Sequence, residues 1–396
     1  MTPHKTLSPY NDRYTSLGPG SRVALNDCTL REGEQSPIVN FRPEQKLEVA
    51  RRLVAAGVGR IQVGYAGLSE SDWRTIRLLR DEGLPCELES VVLSYLDSWE
   101  EQVEAAASAG ATVANIVHVP SPPRRERVFG VTPGQIRART EEAVRAAKAR
   151  GLYVTYSPAD TTRTELELAL DLVAVAERAG ADRIAVADTL GAATPGAVRF
   201  VVEQVRAATS CQVAFHGHND FGLGVANALA ALEAGAEVVD TTLNGWGDRT
   251  GNPPTEEVAA CLQFLYGALP QVDVGALARL ARDVAALLGV DVPPTKPITG
   301  EVAFAHKLET HVKAVLKHPP AFEAFDPQLV GANRQVAIGQ YSGPEAIRAR
   351  LRALGIDYEG EALARLTSAV QAAARATNRV LTNDDLRRIA AGTGEG

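Results

Sequence analysis

The feature that most constrains the fold is a regular alternation of short apolar runs with longer stretches of helical periodicity. The segments between the runs repeat alanine and leucine at helical spacing, and several end on Ala-Gly, in which the glycine favours a helix C-cap. Eight strand–helix units predict a (β/α)8 barrel rather than an open doubly wound sheet. The candidate strands cover residues 23–30, 60–65, 87–93, 112–119, 153–157, 183–189, 211–218 and 237–245.

The repeating pattern stops near residue 268, and this change predicts three regions. Residues 1–22 form an N-terminal arm, residues 23–267 form the barrel, and residues 268–396 form a mainly helical C-terminal extension. A chain of 396 residues can hold a barrel and a second unit, because single cores rarely grow beyond about 250 to 300 residues. We expect the extension to cover the mouth of the barrel and to contribute to the active site.

Composition excludes several classes of protein. The formal net charge is −7 and no block of Lys and Arg stands out, which argues against a surface for nucleic acid or an anionic membrane. The four cysteines form no CxxC pair, so neither a zinc ribbon nor a disulfide framework is expected. There is no apolar leader and no run of 18 apolar residues, and we therefore expect a cytoplasmic protein.

Polar residues gather where the candidate strands end. This face of a (β/α)8 barrel carries the active site, because the loops that follow the strands meet there. The sequence thus predicts a site built from several separate loops. The segments concerned are DCTLREGEQ after strand 1, SPADTTR after strand 5, ADTLG after strand 6, HGHND after strand 7 and LNGWGDRTGN after strand 8.

Two histidines at the end of strand 7 indicate half of a metal site. Residues two apart in a strand share a face, so His216 and His218 can point together into the barrel mouth. Alone, such a pair is equally compatible with one core histidine and one surface histidine. Glu32 after strand 1 is a candidate anionic ligand, because only strand 8 separates strands 1 and 7, and Asn252 can add a neutral oxygen. This donor set suits Mg²⁺, Mn²⁺ or Zn²⁺.

The chain contains, in this order, the segments NDCTLREGEQ, ADTLGAATP, FHGHNDFGLGVANALAALEAGA, DTTLNGWGDRTGN and ITGEVAFAHKLETH. Taken together, these five segments resemble the homocitrate synthase and 2-isopropylmalate synthase family of DRE-TIM metallolyases. The resemblance runs from about residue 23 to residue 355 and implies a barrel with a C-terminal extension, assembled as a homodimer. It also implies that the substrates are acetyl-CoA and a 2-oxo acid, which condense to a 2-substituted malate and CoA.

The resemblance assigns roles to the residues of the candidate metal site. It implies that Glu32, His216 and His218 are metal ligands, with Asn252 as a further ligand in the isopropylmalate synthase branch. Arg31 corresponds to the residue that stabilises the enolate of acetyl-CoA, and a permanently charged guanidinium suits that role. Gln35, Ser157 and Thr189 are candidates for binding the 2-oxo acid, although a strand-end cap is the structural alternative for Thr189.

A condensation of this kind needs a base that removes a proton from the thioester methyl group. His311 matches the family's histidine in the extension, and an imidazole has a suitable pKa near neutral pH. His306 is the competing candidate, and Tyr341 is a candidate for donating a hydroxyl hydrogen bond to the base. Three lysines near these histidines can meet the phosphates of CoA or simply form a solvated helix face, namely Lys307, Lys313 and Lys317.

Several positions depart from the family's patterns. Homocitrate synthases bind the distal carboxylate of 2-oxoglutarate with an arginine on strand 5 and a histidine on strand 3, where this chain has Thr155 and Val91. A buried carboxylate without partners costs several kcal/mol, so the pocket is predicted to take an apolar or differently polar 2-oxo acid. Ala159 also replaces an acidic residue. Before His311, Leu308 and Glu309 replace a small residue and a glycine, which leaves the placement of the acyl donor open.

Three classes of function follow. The first is a 2-isopropylmalate synthase or a relative that makes another 2-substituted malate; a homocitrate synthase is the alternative if Arg124 or Arg127 reaches the pocket. The second is a lyase or aldolase of the same superfamily, which the REGEQ segment and the extension disfavour. The third is a non-catalytic barrel, which the complete set of candidate ligands disfavours. The regulatory domain of long isopropylmalate synthases has no counterpart after residue 355, so we expect no leucine feedback of that type.

Overall fold

The computed structural model describes residues 7–11 and 16–393. The chain divides into two compact units, one spanning Pro9–Val292 and the other comprising Met1–Ser8 and Pro293–Gly396. Part of the predicted N-terminal arm of residues 1–22 lies outside the described residues.

The larger unit is a closed barrel of eight parallel strands in sequential order, which confirms the predicted fold. Closure depends on β1 and β8, which pair over their full lengths from Ala24 opposite Val238 to Asp27 opposite Thr241. The strands are β1 (Ala24–Asp27), β2 (Arg60–Gly64), β3 (Glu87–Leu93), β4 (Val113–His118), β5 (Tyr153–Pro158), β6 (Arg183–Asp188), β7 (Gln212–Gly217) and β8 (Val238–Thr241).

Helices surround the barrel, and all except the three-residue helix Pro122–Arg124 contain buried residues. Four Ala-Gly dipeptides that precede strands behave as predicted, because their glycines have φ angles between 92° and 105° and end or follow a helix. These glycines are Gly57, Gly110, Gly180 and Gly235. The helices are α1 (Pro43–Ala55), α2 (Glu70–Glu82), α3 (Trp99–Ala109), α4 (Pro122–Arg124), α5 (Pro133–Ala149), α6 (Leu166–Ala179), α7 (Pro195–Ala208), α8 (Gly224–Glu233), α9 (Thr255–Phe264) and α10 (Val274–Leu288).

Several predicted boundaries differ from the structure, most at the end of strand 8 and at the end of the larger unit. Strand 8 was expected over residues 237–245 but ends at Thr241, because Asn244 and Gly245 have φ angles of 58° and 76° and turn the chain into a 3-10 segment. The larger unit also runs beyond residue 267 to Val292, and it includes α10, whose apolar face packs against α1 and α9.

The smaller unit is mainly helical, as predicted for the extension. Its core is a cluster of buried aliphatic side chains that includes Leu351, Leu366 and Val370. A short parallel pair joins β9 (Ala305–His306) to β10 (Gln335–Val336). Its helices are α11 (Glu309–Lys317), α12 (Pro344–Ala353), α13 (Gly360–Thr377) and α14 (Asn383–Thr393). Across the described parts of both units, no helix combines the length and the apolar character that crossing a membrane requires.

Charged side chains lie inside the barrel at the level where β3 faces β6. Arg183 is 1% exposed, and its guanidinium lies 2.9 Å from a carboxylate oxygen of Glu87 and 3.7 Å from one of Glu89. Burial and the nearby Asp240 raise the pKa of Glu89, although Arg183 opposes that rise. Because both groups are desolvated, the pair is stabilising only while both partners are present.

We therefore expect Arg183→Met to lower the free energy of unfolding by about 3–5 kcal/mol near pH 8, because the buried carboxylate of Glu89 loses the cation that faces it. When the pKa of a carboxyl group is raised by folding, the folded protein binds more protons at that group than the unfolded protein does. The group therefore destabilises the folded state more as the pH rises and less as it falls. The loss should thus be smaller at pH 5 than at pH 8. Urea unfolding at the two pH values measures it, with exposed Arg178→Met as the control. Equal losses in the two variants would contradict the role of the buried pair.

Candidate active site and metal centre

A cavity of about 220 Å³ opens at the carboxyl ends of the barrel strands. Its position is that of active sites in this architecture. The cavity contains most of the side chains that the sequence predicts for the site. The predicted residues that line it are Arg31, Glu32, Gln35, Val91, Ser157, Thr189, His216 and His218.

Glu32, His216 and His218 form a compact cluster of potential metal ligands. The Nε2 atoms of the two histidines are 3.3 Å apart. The carboxylate of Glu32 approaches the Nε2 atom of His216 at 4.0 Å and that of His218 at 3.7 Å. One ligand atom from each residue lies within 4.8 Å of the others, which is the spacing expected around a single ion.

The pKa values of the three candidate ligands are shifted by burial and by neighbouring charges. Burial lowers the pKa of His216, but the carboxylate of Asp240, 2.9 Å from its Nδ1 atom, outweighs this effect and raises the pKa above its usual value. Burial and the neighbouring His216 lower the pKa of His218 to about 4, so this ring is neutral at physiological pH. Burial raises the pKa of Glu32, but the opposing effect of Arg31 and the two histidines is larger, so the pKa lies below its usual value. A carboxylate that orients a ligand histidine is a typical partner in metal sites.

Two buried polar atoms beside the cluster have no hydrogen-bond partner among the described residues. They are the Oδ1 atom of Asn252 and the Nδ1 atom of His218. The amide nitrogen of Asn252 donates to the carbonyl of Gly217 at 2.9 Å, which fixes the orientation of the side chain. An orphaned oxygen on a residue that is 1% exposed is costly unless it binds something, so the donor set present here fits a divalent ion. The assignment of Asn252 as a ligand remains a proposal.

Local turns place these ligands. After β1 the carbonyl of Cys28 accepts hydrogen bonds from the backbone N–H groups of Arg31, Glu32 and Gly33, and this tight turn directs Arg31 and Glu32 into the cavity. After β8 the loop depends on Gly251, which has a φ angle of 80° and whose added Cβ atom would stand 1.8 Å from the carbonyl oxygen of Gly245. Only glycine fits there, and Asn252 follows directly.

Arg31 lies between the cluster and the floor of the barrel. Its guanidinium donates to Glu32 and Gln62, and its Nη1 atom is 3.4 Å from the hydroxyl of Tyr65. The amide of Gln35 donates to the same hydroxyl at 3.0 Å. These contacts hold the cation beside the candidate ligands.

A second chain of hydrogen bonds runs beneath the cavity to Ser157. The amide groups of Gln62 and Asn115 both donate to the buried carboxylate of Glu89. The hydroxyl of Ser157 in turn donates to the Oδ1 atom of Asn115 at 2.6 Å. The hydroxyl proton of Ser157 is therefore already used within the protein.

The hydroxyl of Thr189, unlike that of Ser157, acts as a hydrogen-bond acceptor within the protein. Its hydroxyl oxygen accepts a hydrogen bond of 2.7 Å from the backbone N–H of Asp160, and its own proton makes no hydrogen bond to another described residue. A hydroxyl held in this way can donate into the cavity, which supports the substrate contact over the strand-end alternative.

Thr155 is a prediction that the structure does not place in the cavity wall. It is 2% exposed, and its hydroxyl lies 3.4 Å from the Nη1 atom of Arg183 in the layer below. Conversely, sequence reasoning missed Tyr65, Tyr95, Asn115 and Asp240 as lining residues. Alternation along the strands could have identified Asn115 and Asp240, because each lies an even number of residues from another inward-facing position.

His311 and Tyr341 lie in the smaller unit. The ring of His311 stacks on Phe322 with centroids 4.2 Å apart, whereas the Nε2 atom of His306 lies 3.3 Å from the carboxylate of Glu323. Tyr341 is 62% exposed. The roles of these residues remain proposals.

Glu309, one of the departures from the family's patterns, has a structural role. Its carboxylate accepts hydrogen bonds from the backbone N–H groups of Gly343, Glu345 and Ala346 at 2.9, 3.1 and 3.1 Å. These groups belong to the first turn of α12, which has no capping side chain of its own. The carboxylate therefore replaces the missing cap and interacts favourably with the helix dipole.

Comparison with known proteins identifies relatives over most of the chain. Residues 22–284 match the HMGL-like family, and residues 298–378 match the homocitrate synthase post-HMGL domain-like family. A homocitrate synthase from Methanopyrus kandleri is 37% identical over 366 residues, which cover 92% of this chain and 91% of that protein. The chain belongs to the homocitrate synthase and 2-isopropylmalate synthase family.

A second relative agrees with this family, and a solved structure shares the fold. A probable 2-isopropylmalate synthase from Ignicoccus hospitalis is 34% identical over 368 residues, which cover 93% of this chain and 91% of that protein. The HMG-CoA lyase from Bacillus subtilis has a TM-score of 0.62 at 19% identity and covers 70% of this chain and 97% of its own. The likeness to the lyase is one of fold.

Asp240 gives a test of the metal centre. We expect Asp240→Asn to weaken binding of Mn²⁺ by about 10- to 100-fold, because the amide no longer orients His216 as a carboxylate does. Isothermal titration calorimetry on the purified protein measures the affinity. The control is Asp27→Asn, since Asp27 is equally buried but binds Thr29 and Thr255 instead of a histidine. Unchanged affinity in the Asp240 variant would refute this role.

Proposed function

We propose that the protein condenses the acetyl group of acetyl-CoA with a 2-oxo acid and releases CoA and a 2-substituted malate. One molecule of water is consumed as the thioester is hydrolysed. The observation that carries this proposal is the placement of Arg31 beside the Glu32, His216 and His218 cluster in a single cavity. A cluster for a metal next to a permanent cation suits a reaction in which negative charge develops on two oxygen atoms.

Glu32, His216 and His218 would hold the divalent ion, with Asn252 as a candidate fourth ligand. Such an ion, when bound, polarises the ketone of the 2-oxo acid and stabilises the negative charge that develops on its oxygen. The native metal is Mg²⁺, Mn²⁺ or Zn²⁺ by the chemistry of the donors.

Arg31 and Thr189 act on the two substrates. The guanidinium of Arg31 binds the carbonyl oxygen of the acetyl thioester as that oxygen gains negative charge, and it cannot protonate the enolate. The hydroxyl of Thr189 donates to the carboxylate next to the ketone. Gln35 positions the hydroxyl of Tyr65 and the carboxylate of Glu32 on the same side of the cavity.

His311 is the proposed base. Its imidazole takes a proton from the methyl carbon of acetyl-CoA, and the carbon then attacks the ketone. No hydrogen bond to a described residue occupies its ring nitrogens, whereas His306 already faces Glu323. Tyr341 is the candidate for orienting this base. We propose a homodimer, which the family resemblance implies.

The alternative functions differ in their support. A homocitrate synthase is favoured by the similarity to the relative from Methanopyrus kandleri. The lyase alternative is supported by fold alone, and residues 298–378 match a domain described for homocitrate synthase.

Release of free CoA from acetyl-CoA, followed with a thiol reagent, tests the proposed reaction. The acceptors are 2-oxoisovalerate, pyruvate, oxaloacetate, 2-oxoglutarate and phenylpyruvate, each with Mn²⁺ and with a chelator. We expect metal-dependent release with at least one acceptor, and a loss of kcat of about 100- to 1,000-fold in Arg31→Ala because a charge-stabilising donor is removed. Absence of release with every acceptor would refute the condensation.

The choice of base makes a separate prediction. We expect His311→Gln to lower kcat by about 100- to 10,000-fold, because the proton acceptor is lost while the side chain remains polar. His306→Gln is the matched control and should retain most of kcat. The reverse ranking would assign the base to His306.

A further inference from the structure

Arg124 is a cation in the cavity wall that pairs with no carboxylate of the described residues. The arginines that line the cavity are Arg31 and Arg124. Arg31 pairs with Glu32, whereas no carboxylate oxygen of the described residues lies within 4.0 Å of the guanidinium of Arg124. The side chain is half-buried, so part of its hydration is already lost. A guanidinium in this position is suited to form a bidentate pair with a carboxylate.

The neighbouring residue fixes the segment that carries Arg124. Arg125 is 8% exposed, and its guanidinium donates to both carboxylate oxygens of Glu165 at 2.8 Å and to the carbonyl of Pro120 at 3.1 Å. These bonds anchor the turn after β4 on the N-terminus of α6. Arg124 therefore presents its cation to the cavity from a fixed backbone.

Arg124 and the metal ligands stand on opposite sides of the cavity. In the closed order of strands, β4 is four strands away from β8 in both directions, and the candidate ligands follow β1 and end β7 on either side of β8. The side chains of Val91, Leu93 and Val117 line the wall that leads towards Arg124. A molecule held at the metal ligands by its ketone and first carboxylate would extend its side chain along this apolar wall.

Tyr95 lies at the same end of the cavity. Its ring packs on Phe129 with centroids 4.9 Å apart, which fixes its position. Burial raises the pKa of its hydroxyl, and Arg124 is near enough to offset part of that rise. A hydroxyl group and the guanidinium thus both line this cavity.

We infer that Arg124 determines the acceptor specificity of this enzyme by binding an anionic group at the far end of the 2-oxo acid. The inference rests on the proposed function and narrows it to acceptors that are 2-oxo dicarboxylates. It revises the expectation drawn from Val91 and Thr155, since the partner of the second carboxylate comes from the turn after β4 instead of from strands 3 and 5. Arg127, the other arginine that the sequence suggested for this role, is exposed and does not line the cavity.

Paired acceptors test this inference. The full-length protein with Mn²⁺ is assayed for CoA release with 2-oxoglutarate and 2-oxoadipate, and with 5-methyl-2-oxohexanoate, in which an uncharged isopropyl group replaces the terminal carboxylate of 2-oxoglutarate. We expect the wild type to prefer a dicarboxylate. Arg124→Ala should raise the KM for that dicarboxylate by about 10- to 100-fold, the effect of losing hydrogen bonds to a charged group.

Controls separate this role from binding of the CoA phosphates and from a loss of structure. The KM for the uncharged acceptor and for acetyl-CoA should stay unchanged in Arg124→Ala, Arg124→Lys should recover part of the loss, and Arg127→Ala should behave as the wild type. An equal rise of KM for charged and uncharged acceptors, or a rise in the KM for acetyl-CoA, would overturn the inference.

Binding distinguishes failure of this inference from failure of the proposed function. Titration calorimetry in the presence of Mn²⁺ measures binding of 2-oxoglutarate and 2-oxoadipate without turnover. Binding that depends on Arg124 but leads to no CoA release would sustain the inference and refute the condensation. Turnover of 2-oxoisovalerate, with no binding of either dicarboxylate, would sustain the condensation and refute the inference.

Discussion

The pairing of β1 with β8 is the constraint on which the rest of the structure depends. It closes the barrel and brings the two ends of the catalytic unit together, so that Asn26 on β1 donates a hydrogen bond of 2.9 Å to Asp240 on β8. Asp240 uses its other oxygen to orient His216 on β7. One buried carboxylate thus joins β1 to the consecutive strands β7 and β8, which lie about 190 residues further along the chain. Without closure, Glu32 would not meet the two histidines.

The interior of the barrel is unusually polar for a core, and its groups stabilise one another only as a complete network. Glu89 accepts from the amide groups of Gln62 and Asn115 and faces Arg183 at 3.7 Å. Because a buried polar group is costly when unpaired, this network allows one arrangement of the side chains below the cavity. It supports Arg31 on one side and Ser157 on the other.

The departures from the family's patterns have different physical meanings. Glu309 caps α12 and so belongs to the fold of the smaller unit. Thr155 lies beneath the cavity, with its hydroxyl towards Arg183, and Val91 contributes to the apolar wall. Neither of the last two positions offers a charge to a substrate. The inference drawn for Arg124 assigns this charge to the turn after β4, and Arg124 lines the same cavity as the metal cluster.

The sequence by itself determined the (β/α)8 barrel through local periodicity, and the family through motifs that occur in a fixed order. It also named Glu32, His216 and His218 as candidate ligands, since a parallel barrel places the ends of strands 1 and 7 near each other. It also indicated Arg31 and Thr189 through motifs that remain contiguous in the chain. Only the tertiary structure decided that Asp240 orients His216, that Asn252 keeps an orphaned oxygen and that Arg124, not Arg127, faces the cavity. These relations depend on side-chain directions and on strands brought together by closure, and neither is encoded by spacing along the chain.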